Sequence, residues 1–170
     1  METSRGDLMQ CNVFLQNANR SRSERSVNIF FDVDDTLVTW DFRLRPQVRE
    51  VFERLRDDGH HLYLWSGRGK RWEVVHRYEL HDLIVTCHEK PLEDHHAKLA
   101  ELGVNVVPEF VIDDHYAVVH AFGGYWICPP RRPLEQDREL WKVYDAVNRF
   151  LADRGAGVIH ERFIARWDQR

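Results

Sequence analysis

The chain has 170 residues and a mass of 20.3 kDa, with 43% hydrophobic and 31% charged residues; this suits one domain with its own core and excludes an intrinsically disordered chain. No run approaches the roughly 18 apolar residues of a membrane span, the N-terminus lacks a secretory leader pattern, and Cys11, Cys87 and Cys128 show no CxxC spacing. The expected compartment is therefore the cytoplasm, with no membrane partner. The net charge of −4 is uneven, because residues 27–130 hold 11 basic against 18 acidic groups, an excess that makes sense where carboxylates gather around a cation.

Residues 1–26 read as a polar, mobile arm in which Asn17, Asn19, Ser21, Ser23 and Ser26 alternate with arginines. Order begins at Val27-Asn28-Ile29-Phe30-Phe31, an apolar run of strand length that stops in Asp32-Val33-Asp34-Asp35-Thr36. Pro46 suits the first turn of a helix, Val48, Val51, Phe52 and Leu55 follow at helical spacing, and Gly59 stands where a left-handed cap ends it. His61–Trp65 is a second buried strand, stopped by Ser66-Gly67-Arg68-Gly69. A helix follows over about 70–80, then a strand over 83–87, a helix over about 93–102 closed by Gly103, and a strand 110–112 ending in Asp113-Asp114. After a short helical segment, 125–128 is a fifth strand, and Leu140, Tyr144, Val147 and Leu151 mark an amphipathic helix over 134–153.

Strands alternating with helices through short loops predict parallel pairing in a three-layer, Rossmann-like α/β sheet, with 27–130 as the sheet-bearing domain and 131–170 as a helical extension. That extension packs on its own domain or pairs with another subunit. The polar residues follow strands one to four, at the carboxyl edge where open α/β sheets bind ligands. Asp32, Asp34, Asp113 and Asp114 all lie there. Gathering them is costly without a cation, and an oxygen-only set suits Mg²⁺ rather than Zn²⁺. A zinc reading through Cys87, His88, His95 and His96 lacks ligand spacing.

These segments resemble the haloacid dehalogenase-like phosphatases. The strand with Asp32-Val33-Asp34-Asp35-Thr36 is similar to that family's DxDxT motif, Ser66 to its second motif, Lys90 in His88-Glu89-Lys90-Pro91 to its lysine, and Asp113-Asp114 to its acidic fourth motif. The resemblance implies a Mg²⁺-dependent phosphomonoester hydrolase. Asp32 is then the nucleophile, carrying an aspartyl-phosphate, and Asp34 the acid and base. Ser66 and Lys90 hold the phosphoryl group with help from Thr36, Gly67 and Arg68. The metal falls to Asp32, the main-chain carbonyl of Asp34 and Asp114, supported by Asp113. Asp35 reads as a turn residue, and Lys70 and Lys98 compete with Lys90. With about ten residues between Thr36 and Pro46 there is room for a flap and none for a cap domain.

The segment Ser66-Gly67-Arg68 with Asp113-Asp114 also resembles the phosphatase domain of polynucleotide kinase-phosphatases, which implies a nucleic-acid 3′-phosphate as an alternative substrate. The net −7 over 27–130 favours a small phosphate ester over a polyanion. Phosphotransfer on the same fold stays open. A phosphorylated receiver module fits poorly, since its acceptor Asp would end the strand that here offers Ser66.

Overall fold

The computed structural model describes residues 26–158 and 162–167. The polar arm expected over 1–26 lies outside them, Ser26 apart, as does Cys11. Six strands form one all-parallel sheet: β1 (Asn28–Asp32), β2 (His61–Ser66), β3 (Ile84–Glu89), β4 (Phe110–Asp113), β5 (Gly124–Trp126) and β6 (Ile164–Arg166), in the order β3-β2-β1-β4-β5-β6. The order reverses between β1 and β4, and a crevice opens at such a switch point beyond the strand ends. Asp32 and Asp113 close these two strands.

The strand period of two sorts the core into two layers. Ile29, Phe31, Leu62 and Leu64 face one side, where α1 (Val48–Asp57), α2 (Trp72–Arg77) and α4 (Glu139–Gly155) cover them. Phe30, Tyr63, Trp65 and Val111 face the other, against Val118 of α3 (Tyr116–Phe122). The second layer is largely aromatic: Phe30 stacks on Tyr63 at 4.7 Å and meets Trp65 edge-on at 5.0 Å.

Several boundaries differ from those expected. Pro46 is not in the first turn of α1; Gln47, at φ 63°, turns left-handed between it and Val48, so the helix starts later. The helix expected over 93–102 is a succession of turns. Asp94 is left-handed (φ 45°), and the helical bonds Lys98 N–H to Asp94 O (3.1 Å) and Leu102 N–H to Lys98 O (3.0 Å) never run consecutively. Leu99 and Leu102 still pack on the aromatic layer, but so few apolar contacts do not hold a regular helix, whose stability in proteins comes mostly from packing.

The segment expected as a helix over 134–153 divides into a 3₁₀ turn, Leu134–Gln136, and α4. Leu140, Val143, Ala146 and Val147 of α4 are spent on the main core, so the helix packs on its own domain. The extension is also not wholly helical, because it returns to the sheet as β6, a three-residue strand too short to leave a periodic signal. Gly124 permits β5 to join β4. A Cβ there would stand 2.0 Å from the Val111 carbonyl oxygen, and its φ of 141° disfavours any side chain. Among the described residues no helix is long and apolar enough to cross a membrane.

Candidate active site

The β1 strand delivers Asp32 to the carboxyl edge by burial alone. Ile29, Phe30 and Phe31 are sealed between the two layers, and the next residue emerges where the sheet ends. The chain then turns sharply, with Leu37 and Val38 N–H groups both bonded to the Val33 carbonyl (2.9 and 3.0 Å). Asp35 takes the left-handed conformation (φ 55°) that this turn demands and that Asp tolerates better than most residues. The excursion over 36–45 folds on itself through the Val38–Leu44 bridge. Arg45 ties down its base, donating to the Thr36 carbonyl (2.9 Å), the Cys128 carbonyl (2.7 Å) and Asp137 (2.9 Å).

Two clusters form at this edge. In the first, the Lys90 ammonium bridges Asp32 Oδ1 at 2.7 Å and Asp113 Oδ2 at 2.8 Å, with all three side chains almost wholly buried. Lys90 is aimed there by its own main chain, whose N–H bonds the Ser66 carbonyl at 3.0 Å just past the β2–β3 pairing. The other oxygen of Asp113 accepts the His115 N–H at 2.9 Å. Asp114 is left freer, bonded at 2.9 Å to the His115 ring. Oxygen or ring-nitrogen atoms of Asp113, Asp114 and His115 lie within 4.8 Å of one another.

The electrostatics follow from one ammonium among several carboxyls. Burial, and then repulsion from Asp113, push the Asp32 carboxyl up to about 7, although Lys90 pulls the other way. Burial likewise raises Asp113 against the pull of Lys90. Burial works to discharge Lys90, yet the two carboxylates outweigh it and hold the ammonium above the ordinary lysine value.

The second cluster surrounds Asp34, whose carboxylate does not join the first. Ser66 Oγ donates to it at 3.1 Å, Arg71 forms an ion pair with it, and Arg68 approaches at 3.5 Å. Burial acts upward on Asp34, but the Arg71 and Ser66 hydrogen bonds and the arginine charges prevail and hold it below the usual carboxylate range. The Ser66 hydroxyl also accepts the Arg68 N–H at 3.1 Å.

The expected oxygen cluster is therefore divided: the side chains of Asp32, Asp113 and Asp114 gather, and that of Asp34 turns to the β2 loop. Thr36 is fully buried and lies beneath the loop, away from solvent. Gly67 is exposed, and a Cβ on it would press on Leu92 at 2.6 Å. Arg68 points outward. Lys98 pairs with Glu93 on the surface (3.1 Å) and Lys70 is exposed, so Lys90 is the lysine at the carboxylates. Of the zinc candidates, His88 stacks on Phe30, while His95 and His96 bond the Pro91 and Ala121 carbonyls separately. Cys87 is buried, which pushes its thiol up to about 12.

Arg71 and His115 were not singled out in the sequence. Arg71 ends a basic run, Arg68-Gly69-Lys70-Arg71, and His115 follows the Asp pair. Both signals are common on surfaces; the fold buries Arg71 against Asp34 and leaves His115 exposed beside Asp113 and Asp114.

The family model for haloacid dehalogenase-like hydrolases matches residues 29–88, which span β1 to the end of β3 and include Asp32, Asp34 and Ser66. Over this stretch the chain is similar to that superfamily. No curated protein matches the chain. The match supports hydrolysis as the general chemistry, and the parallel sheet with carboxylates at the β1–β4 switch point is consistent with that family's fold. Lys90 and Asp113-Asp114 lie beyond the matched stretch, so their presence at the site rests on the structure.

Proposed function

We propose that this haloacid dehalogenase-like protein is a phosphomonoesterase that works through an aspartyl-phosphate on Asp32. The observation that carries the reading is the buried Asp32 carboxylate at the end of β1, oriented by Lys90 at 2.7 Å and flanked by a separately supported carboxyl, Asp34. An Asp32 oxygen attacks phosphorus as the ester P–O bond breaks. The departing oxygen takes a proton from Asp34, which binds that proton from solvent water as the approach of the substrate's phosphate draws Arg68 and Arg71 away from it. Water then attacks the phosphoryl group, giving its proton to the Asp34 carboxylate while the bond to Asp32 breaks and inorganic phosphate leaves. The Arg71 and Ser66 contacts favour the ionised form of Asp34, which this second half requires.

The donor set fits a hard divalent cation: oxygen atoms only at Asp32 and Asp114, beside carboxyls whose raised values record too little positive charge for their burial. Mg²⁺ held by Asp32, the main-chain carbonyl of Asp34 and Asp114 would screen the substrate dianion from the nucleophile. Asp113 supports the set through Lys90 and His115. A small phosphate monoester is the proposed substrate class. The test is release of p-nitrophenolate from its phosphate with Mg²⁺. EDTA and Asp32→Asn should each abolish turnover; activity that survives EDTA overturns the metal assignment, and full activity in Asp32→Asn overturns the nucleophile.

A further inference from the structure

Beyond the catalytic crevice, a cavity of about 350 Å³ opens between residues 128–142 and Trp167, which follows β6. It lies along the same carboxyl edge of the sheet, because Cys128 and Trp167 come after the ends of β5 and β6 as Asp113 closes β4. Neighbouring strands are about 4.8 Å apart, so this wall stands about 10–15 Å along the edge from β1.

Its lining is cationic within a chain of net negative charge. Arg45, Arg131, Arg132, Arg138 and Lys142 face two carboxylates, Asp137 and Glu139. Both carboxylates are already engaged, Asp137 by Arg45 at 2.9 Å and Glu139 by Lys142. Arg132 reaches out to Asp41 on the loop over 36–45, at 3.0 Å. Arg138 donates to the Glu135 and Asp137 carbonyls, both at 2.8 Å, and Arg131 lies over the Trp167 ring with its guanidinium carbon 4.8 Å from the centroid. Neither has a carboxylate partner among the described residues. Two further donors are sealed from solvent without an acceptor there, Arg45 Nε and the Trp167 indole N–H. Unpaired buried donors and unneutralised guanidinium forks both call for oxygen acceptors carrying negative charge.

We propose that this cavity is a binding site for a phosphate-type oxyanion, separate from the catalytic centre. Arg131 is its principal contact, with its plane fixed by Trp167. The oxyanion is either free in solution or the second phosphate of a substrate that spans the edge. The site needs no metal and no turnover, so it stands or falls apart from the hydrolytic reading.

The experiment is titration calorimetry of the full chain with inorganic pyrophosphate in metal-free buffer at two salt concentrations. One saturable site is expected, weakening as salt rises. Arg131→Ala should lower affinity about ten-fold or more, and Arg131→Lys should retain part of it. Arg131 is exposed, so circular dichroism should show both variants folded. Arg68→Ala, at the catalytic rim, should leave the affinity unchanged. Absence of saturable binding, or a loss in Arg68→Ala with Arg131→Ala intact, overturns the site. A hexose bisphosphate that binds at least ten-fold more tightly than pyrophosphate, in an Arg131-dependent way, identifies the second phosphate of a spanning substrate; equal affinities identify a free oxyanion.

Discussion

Replacing Lys90 by Met isolates the electrostatic role of its ammonium, because Met keeps much of the length and apolar character of the stem. The ammonium is the shared partner of Asp32 and Asp113, whose side chains are 5% and 0% exposed. Removing one partner of a buried ion pair costs about 3–5 kcal/mol, which for a domain of this length lowers the melting temperature by about 6–20 °C. The deficit depends on pH in a definite direction. Asp32 already has a folded value of about 7, above the ordinary carboxyl value. Its contribution is therefore most favourable below the unfolded value and is lost as pH rises through the folded one. Without Lys90 both carboxyls rise further and the loss deepens. Urea titrations in metal-free buffer should show a small deficit at about pH 5 and the full one at about pH 8. Lys98→Met, which breaks only an exposed pair with Glu93, should stay within about 0.5 kcal/mol of the parent at both. A deficit of equal size at the two pH values would refute the buried-charge argument, and turnover undiminished in Lys90→Met would remove Lys90 from the site.

Asp34→Asn should slow an alkyl phosphate at least ten-fold more than p-nitrophenyl phosphate, whose leaving group needs little protonation; equal losses in kcat count against Asp34 as the acid. Arg71→Ala removes the ion pair that holds Asp34 low, so the acidic limb of the pH–rate profile should move to higher pH, and an unmoved limb separates Arg71 from proton transfer. Phe52→Ala should destabilise the fold by about 3–5 kcal/mol in urea, since Phe52 is fully buried with its ring 4.6 Å from that of Phe31; a loss under 1 kcal/mol would show that the core collapses around the gap.

The sequence by itself determined the order of the first five strands, their parallel pairing and the edge at which Asp32, Ser66, Lys90 and Asp113 gather. Each rests on a local pattern: a buried strand must be a short apolar run, and the residue after it must turn at the sheet's end, so Asp32, Ser66 and Asp113 were placed by counting. Lys90 was legible as a lysine in the loop after the third strand, which the structure extends to Glu89 so that Lys90 follows it directly. What the sequence did not carry is how side chains divide the space at that edge. Asp32 and Asp34 are two residues apart, yet one meets Lys90 and the other Arg71 and Ser66, because the left-handed turn at Asp35 and the β2 loop set their directions. Arg71 and Arg131 looked like ordinary surface cations until the fold brought one against Asp34 and stacked the other on Trp167, 36 residues later in the chain. The irregular run over 93–104 and the short strand β6 were likewise decided by tertiary packing. The first reads as a helix but buries too few apolar side chains to hold one, the second is too short to leave a periodic signal, and each takes its form from the layer or strand it completes.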